Sequence, residues 1–297
     1  MTLVVARRAG SGQTRVAADL RVTDSDDIRR GYRFAALKNV ILSPTIVVAS
    51  AGNADAAGEA IRRIPEQPKR ISDVLPILEV SSGTAGGGSA GVDYLLADSR
   101  LGIYRITDSG VEGPHAAAWI GDQGAFEVYQ SGYHELPESR FEEVDPVSGR
   151  RSRVDEFTEF ALRMGAGLER VIDDDRISSV GETSLSASTY ADGFRYDPTM
   201  ELSLEREQAI SPEAAPVSWG TVAEGGFGYG TVLPVEAGVG VVGLFFPHAA
   251  LGLLYHPLAG VEPFVYRSDS QRAFEDQVFA DHGIRMKGAF GFGAFGR

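Results

Sequence analysis

The sequence predicts an α+β fold, because strands and helices occur in separate groups along the chain. Short apolar and β-branched runs fill much of residues 1–120, two helical segments follow, and more strand-like runs come after them. A doubly wound sheet would instead alternate one strand with one helix. After Arg206 the composition changes to a stretch rich in glycine and aromatic residues. We therefore expect one domain over residues 1–207 and a small C-terminal domain of unknown role over residues 208–297.

Four short runs at the start of the chain predict two hairpins. Gly10-Ser11-Gly12 separates the first pair and Ser43-Pro44-Thr45 the second, and both sequences favour turns. The predicted strands are residues 3–6 and 15–20 in the first hairpin and residues 38–42 and 46–50 in the second.

The middle of the chain predicts three helices separated by strands. Asn53 is a suitable N-cap for an alanine-rich helix, and the longest helix has apolar residues at three-and-four spacing. Residues 81–91 are rich in serine and glycine and predict a flexible loop; no lysine accompanies the glycines, which argues against a phosphate-binding loop. The predicted helices are residues 54–64, 122–130 and 155–172, and the predicted strands are residues 92–97, 102–106 and 116–120.

The last third of the chain predicts a hairpin, a linker and a small α+β unit. Ala191-Asp192-Gly193 is a turn between two alternating runs. The expected strands are residues 182–189, 194–204, 239–246 and 250–255, the linker is residues 211–216, and a helix over residues 269–280 is expected to be capped by Ser268.

Charge and composition exclude several function classes. The formal net charge of −13 disfavours nucleic-acid and membrane partners, since both require a basic surface. The absence of cysteine excludes disulfides and cysteine nucleophiles. The histidines show no metal-ligand spacing, so we expect neither a metal nor a cofactor. The first residues lack the basic-then-apolar order of a secretion signal, and we expect a cytoplasmic protein.

Thr2 is a candidate nucleophile. Removal of Met1 would place a hydroxyl group and a free α-amine on one residue. The reference pKa of that amine is about 7.7 to 8.0, so it can act as the base for its own hydroxyl group. A threonine at position 2 is common, and its context decides the interpretation.

The context of Thr2 resembles the active-site framework of the proteasome β subunits and the HslV peptidase, which are N-terminal-nucleophile hydrolases. The resemblance includes the pattern A-x-D-x-R-x-T over residues 17–23, a lysine at position 38, Ala51-Gly52 and the N-A-D-A sequence over residues 53–56. Only three of the 28 cationic residues are lysines, so chance alone would more often place an arginine at position 38. The resemblance covers roughly residues 2–204 and implies a four-layer αββα sandwich.

The resemblance also implies roles for individual residues. Lys38 would lower the pKa of the Thr2 hydroxyl and stabilise charge that develops on oxygen, and Asp19 would hold Lys38 in place. The backbone N–H of Gly52 would bind the oxyanion. The residues expected to border the substrate cleft are Arg21, Val22, Thr23 and Ser50.

Two further elements are implied by the resemblance, one of them with a departure. Asp175 to Ser178 matches the D-x-x-S element that supports the terminal amine, which makes Asp175 and Ser178 candidate catalytic residues. Asp122 stands where the family usually has the serine of G-S-G. A carboxylate beside the amine would raise its pKa and make it a poorer base, unless Asp122 points elsewhere.

Three functions remain open at this point. The resemblance implies a threonine peptidase or amidase that acts on a peptide or amide substrate through an acyl-enzyme on Thr2. The same fold with a C-terminal extension is also compatible with a transpeptidase. If Met1 is retained, the chain would be an inactive scaffold or binding subunit. Members of this family usually assemble into rings, so we expect a homo-oligomer by analogy.

Overall fold

Two five-stranded antiparallel sheets, each covered on its outer face by a pair of helices, form the body of the molecule. The structure is a computed structural model. It describes residues 2–19, 37–83, 91–144, 149–177, 179–180, 184–197, 199–204, 226–234, 240–246, 250–257, 259–260 and 263–286.

The described residues form seventeen strands and five α-helices. The strands are β1 Leu3–Arg8, β2 Thr14–Asp19, β3 Asn39–Ser43, β4 Ile46–Gly52, β5 Val92–Asp98, β6 Gly102–Thr107, β7 Gly110–His115, β8 Ala117–Gly121, β9 Glu142–Val144, β10 Arg151–Arg153, β11 Ser184–Tyr190, β12 Gly193–Tyr196, β13 Thr199–Leu204, β14 Gly226–Pro234, β15 Val242–Phe246, β16 Leu251–Tyr255 and β17 Phe264–Arg267. The helices are α1 Ala54–Arg63, α2 Leu75–Gly83, α3 Gln123–His134, α4 Glu156–Ile172 and α5 Gln271–His282.

The first sheet has the strand order β12-β11-β2-β1-β8. Its interior strand β1, between β2 and β8, is buried on both faces over Leu3 to Ala6, as the unbroken apolar run of the sequence requires. Val4 and Ala6 pack into the core between the sheets, whereas Leu3 and Val5 pack against α3 and α4. This alternation places the first sheet between a helical layer and the second sheet.

The second sheet has the order β3-β4-β5-β6-β7 and is covered by α1 and α2. Buried side chains of α1, among them Ala57 and Ile61, join the same core as the strands. On α2, Ser81 forms a hydrogen bond of 2.8 Å with the hydroxyl group of Tyr94 on β5. The four layers are thus helices, sheet, sheet and helices, and the α+β sandwich expected from the sequence is confirmed.

A third sheet, in the order β13-β14-β15-β16-β17, carries α5 on one face. On that face Phe245 and Leu254 pack against Phe274 of α5, while Leu244 and Leu253 belong to the main core. Since β13 precedes residue 208 and pairs with β14, this sheet uses strands from both sides of the expected boundary. The division at residues 207 and 208 remains a prediction.

The structure corrects four local expectations. Residues 81–83 end helix α2 instead of beginning a loop, and residues 84–90 and the linker at 211–216 lie outside the described residues. Strand β7 was not predicted, because it is an exposed edge strand that contains glycine and proline. The run 194–204 forms two strands. Helix α5 is capped by Ser270, while Ser268 donates instead to Gln277.

Several local predictions agree with the structure. Asn53 accepts a hydrogen bond from the N–H of Ala56 and caps α1, as expected. Helix α4 begins one residue after its predicted start at Asp155, which accepts from the N–H groups of Phe157 and Thr158 and is the N-cap. No helix in the described part of the chain has both the length and the apolar character needed to cross a membrane.

Candidate active site

Thr2 lies immediately before the interior strand β1 and is 3% exposed. The strand is held between β2 and β8, and the Thr2 carbonyl accepts a hydrogen bond of 2.8 Å from the N–H of Asp122. Gly121, which pairs with Leu3, has a φ of +103°, and a Cβ atom there would lie 1.9 Å from the Thr2 carbonyl oxygen. Position 121 must therefore be glycine for Thr2 to keep this place.

A buried cluster of three polar side chains surrounds the Thr2 hydroxyl group. The Lys38 Nζ donates to Thr2 Oγ1 and, at 2.7 Å, to Asp19 Oδ2. Thr2 Oγ1 donates to the other carboxylate oxygen of Asp19, which also accepts the Leu3 N–H at 3.2 Å. Asp19 is 0% exposed and Lys38 is 8% exposed. The hydroxyl group is thus in contact with both a cation and an anion.

The cluster forms because separate elements of the two sheets meet at one end of the sandwich. Asp19 is the last residue of β2, and the hairpin register that pairs Val4 with Ala18 brings it beside Thr2. Lys38 comes immediately before β3, the edge strand of the other sheet. The lysine–carboxylate pair therefore joins the two sheets across the core.

The desolvation cost of a buried ion pair is seldom repaid by its own attraction, so such a pair is weak evidence for stabilisation. The three side chains are nevertheless hydrogen-bonded to one another in a buried site. A compact ammonium group held against a hydroxyl oxygen can stabilise negative charge that develops on that oxygen. The arrangement is suited to nucleophilic chemistry at Thr2 Oγ1.

Ser50 and Gly52, at the end of β4, lie on the same side of the sandwich. The N–H of Ser50 donates to the carbonyl of Lys38 at 2.8 Å, and Ser50 is 8% exposed. Gly52 has a φ of +109°, and a Cβ atom there would lie 2.1 Å from the carbonyl oxygen of Gly91. This close approach accounts for the glycine, and oxyanion binding by its N–H remains a prediction.

Asp122 caps helix α3 directly after the strand that pairs with β1. Its carboxylate accepts from the N–H of Ala125 at 3.0 Å and from the hydroxyl of Ser179 at 2.7 Å. Burial raises the pKa of Asp122, but the hydrogen bonds from Ser179 and from backbone N–H groups lower it, and the net shift is downward. Asp122 is therefore a carboxylate at neutral pH whose oxygens already have donors.

Ser179 was not anticipated from the sequence. The D-x-x-S pattern selects its neighbour Ser178, which lies outside the described residues. The adjacent pair of serines was the only sequence signal that could have included Ser179. Asp122 links Ser179 to the candidate site. The Ser179 hydroxyl donates to the Asp122 carboxylate, and the Asp122 backbone N–H donates to the Thr2 carbonyl.

The remaining predicted site residues are either exposed or outside the described part of the chain. Asp175 lies in the exposed turn after α4, where the neighbouring Arg176 and Asp174 form an ion pair of 2.6 Å. Arg21, Val22 and Thr23, expected at the substrate cleft, fall outside the described residues. In the described parts of the chain, no three histidine or acidic side chains are grouped as they would be around a metal ion.

The fold and the site together define an α+β sandwich with a buried threonine, lysine and aspartate at one end of its central strands. No protein-family model and no curated protein matches the sequence. Among solved structures, the chain is similar in fold to the eukaryotic HslV from Trypanosoma brucei. The identity is 14% and the TM-score 0.43, and the match covers 63% of this chain and 98% of that chain.

Proposed function

We propose that this protein is a threonine-type N-terminal-nucleophile hydrolase that cleaves peptide or amide bonds through an acyl-enzyme on Thr2. The observation that carries the proposal is the contact of Lys38 Nζ with both Thr2 Oγ1 and Asp19. This geometry combines a hydroxyl nucleophile with a fixed ammonium group in a buried site. Removal of Met1 is part of the proposal, because the mechanism needs a free α-amine on Thr2.

The first half of the reaction transfers the acyl group to the enzyme. The α-amine of Thr2 takes the hydroxyl proton while Oγ1 attacks the carbonyl carbon of the substrate, forming a carbon–oxygen bond. The Lys38 charge stabilises the developing negative charge, and the Gly52 N–H is the proposed oxyanion donor. The carbon–nitrogen bond then breaks, and the leaving amine receives the proton.

The second half returns the enzyme to its starting state. A water molecule attacks the ester carbon, the amine again serves as base, and the bond between Oγ1 and the acyl carbon breaks to release a carboxylic acid. Throughout both halves, Asp19 keeps Lys38 charged and in position through the 2.7 Å hydrogen bond. Asp19 is thus a positioning residue for the lysine and an acceptor for the resting hydroxyl group.

Intact mass spectrometry with a threonine-directed inhibitor tests the proposal. The protein would be prepared with a cleavable N-terminal fusion that leaves Thr2 as the first residue, and then incubated with an epoxyketone or a β-lactone. We expect one adduct on Thr2, retained in Thr2→Ser, absent in Thr2→Ala and much slower in Lys38→Met. Lys69→Met is the matched control, because Lys69 is an exposed lysine far along the chain from the cluster.

The same experiment separates processing from chemistry. Unfused protein is expected to lose Met1 and to react in the same way. If the protein with a free Thr2 forms no adduct with either inhibitor, the hydrolase proposal is wrong and an inactive scaffold becomes the better description. An adduct that forms equally fast in Lys38→Met would instead remove the lysine from the mechanism.

A further inference from the structure

A cavity of about 560 Å³ lies at the end of β1 opposite to Thr2. Its volume is in the range of small-molecule sites. Arg7 lines this cavity, and since a strand rises about 3.3 Å per residue, it lies about 17 Å from Thr2 along β1. The cavity is therefore separate from the threonine site.

Arginines dominate the charge of this cavity. Four arginines and two glutamates line it, in a protein whose formal net charge is −13. The Arg8 guanidinium group donates to the carbonyls of Gly12 and Arg100. Arg153 and Arg163 both donate to the carboxylate of Glu159, at 2.7 and 2.9 Å. The charges of these two arginines are thus partly neutralised within the protein.

Arg7 differs from the other arginines of the cavity. Among the described residues it forms no ion pair with a carboxylate; its guanidinium group lies instead over the ring of Tyr133, 3.9 Å from the ring centre. The neighbouring phenol of Tyr129 is neutral at physiological pH, because burial raises its pKa more strongly than the Arg7 charge lowers it. Tyr129 therefore does not neutralise the half-buried guanidinium group.

The strand pairing increases the excess of positive charge. Arg7 is paired across the sheet with Arg15 on β2, and like charges in this position repel each other. Arg15 is neutralised by Asp197 at 2.9 Å, whereas Arg7 has on its other side only Ala117 of β8. An anion bound at Arg7 would supply the ion-pair partner that this guanidinium group does not have among the described residues.

We propose that this cavity binds a small organic anion whose carboxylate or phosphate oxygens contact the Arg7 guanidinium group. The planar guanidinium group suits bidentate binding of such oxyanions, and stacking on Tyr133 fixes its plane. The cavity is larger than an inorganic ion requires, and Ala116, Ala117 and Phe160 supply apolar surface for the rest of the ligand. Arg153 borders the same space.

Calorimetric titration at constant ionic strength tests the proposal, with benzoate, phenyl phosphate and uncharged benzamide as probes. We expect one or both anions to bind and benzamide not to bind. The anion that binds more tightly identifies the carboxylate or the phosphate as the preferred group. The proposal is wrong if neither anion binds the intact protein, or if benzamide binds as well as they do.

Variants at position 117 test the role of Arg7 in anion binding without removing the arginine itself. Ala117 is exposed and is paired with Arg7, so Ala117→Glu should place a carboxylate against the guanidinium group and weaken anion binding at least about tenfold. Ala117→Gln, of nearly equal size, should retain binding. Arg7→Gln should lose binding, and Arg151→Gln, at an exposed arginine outside the cavity, should not.

Equal binding by the two position-117 variants would also refute the proposal. Anion binding should be unchanged in Thr2→Ala, because the cavity is remote from the threonine site. The inference can thus fail or succeed independently of the proposed hydrolase activity.

Discussion

Replacement of Lys38 by methionine tests whether the lysine–aspartate pair is as buried as the structure places it. The variant keeps a long unbranched side chain and removes the charge, so the Asp19 carboxylate, at 0% exposure, loses its ion pair with Lys38. Breaking a buried pair from one side costs about 3–5 kcal/mol. Asp19 would retain donors from Leu3 and Thr2, so we expect the lower end of that range, about 3 kcal/mol.

This loss is large compared with the total stability of a folded protein, which is about 5–15 kcal/mol. Since 1 kcal/mol shifts the melting temperature of a domain of this size by roughly 2–4 °C, a decrease of roughly 6–12 °C is expected. Thermal and urea unfolding followed by circular dichroism would measure it. Lys69→Met, at an exposed lysine, should change stability by no more than about 0.5 kcal/mol.

A second substitution determines whether the charge of the Asp19 carboxylate is the cause of the lost stability. Adding Asp19→Asn to Lys38→Met removes the carboxylate charge, so the double variant should be no less stable than the single one, although both should react much more slowly with the inhibitor than the native protein. A cost below about 1 kcal/mol for Lys38→Met, the value typical of exposed pairs, would show that the pair is solvated. Such a result would contradict a buried catalytic cluster of Thr2, Asp19 and Lys38.

Three further predictions concern the turn beside Thr2 and a control helix. Gly121→Ala should prevent inhibitor labelling of Thr2 and destabilise the fold, because the new Cβ would lie 1.9 Å from the Thr2 carbonyl oxygen; unaltered labelling would contradict this. Gly165→Ala, in α4 with no atom within 4 Å of the new Cβ, should instead stabilise the protein by about 0.5–1 kcal/mol in urea unfolding. Asp122→Ala should cost about 1 kcal/mol at pH 7 through loss of the α3 cap. Because the pKa of Asp122 is lower in the folded protein than its ordinary 3.8, this difference should persist above pH 3.8 and vanish as the pH falls through the folded pKa, as measured by unfolding at several pH values.

Asp122 also bears on the mechanism. A carboxylate near the Thr2 amine would keep that amine protonated to higher pH, whereas a carboxylate fully used by Ser179 and by the α3 cap would affect it less. Comparison of the pH dependence of inhibitor labelling in the native protein and in Asp122→Ser distinguishes the two cases. A lower pH midpoint in the variant indicates contact with the amine, and an unchanged midpoint indicates a structural cap.

The sequence by itself determined the elements that depend on near neighbours. The turn at Ser43-Pro44-Thr45 and the cap Asn53 were predicted because a cap or turn involves residues only two to four positions apart. The prediction failed where an element contains residues that are typical of loops. Examples are the exposed edge strand β7, with its glycines and proline, and the serine- and glycine-rich end of α2.

The tertiary structure alone decided which distant side chains meet. Asp19 and Lys38 could be proposed as partners through a family resemblance, but their contact depends on how the two sheets stack, which no local pattern encodes. Ser179 donates to Asp122, which lies 57 positions earlier in the chain. The cavity at Arg7 combines residues from β1, β8 and α4. Such sites are set by long-range packing, because their geometry is a property of the assembled layers and not of any one segment.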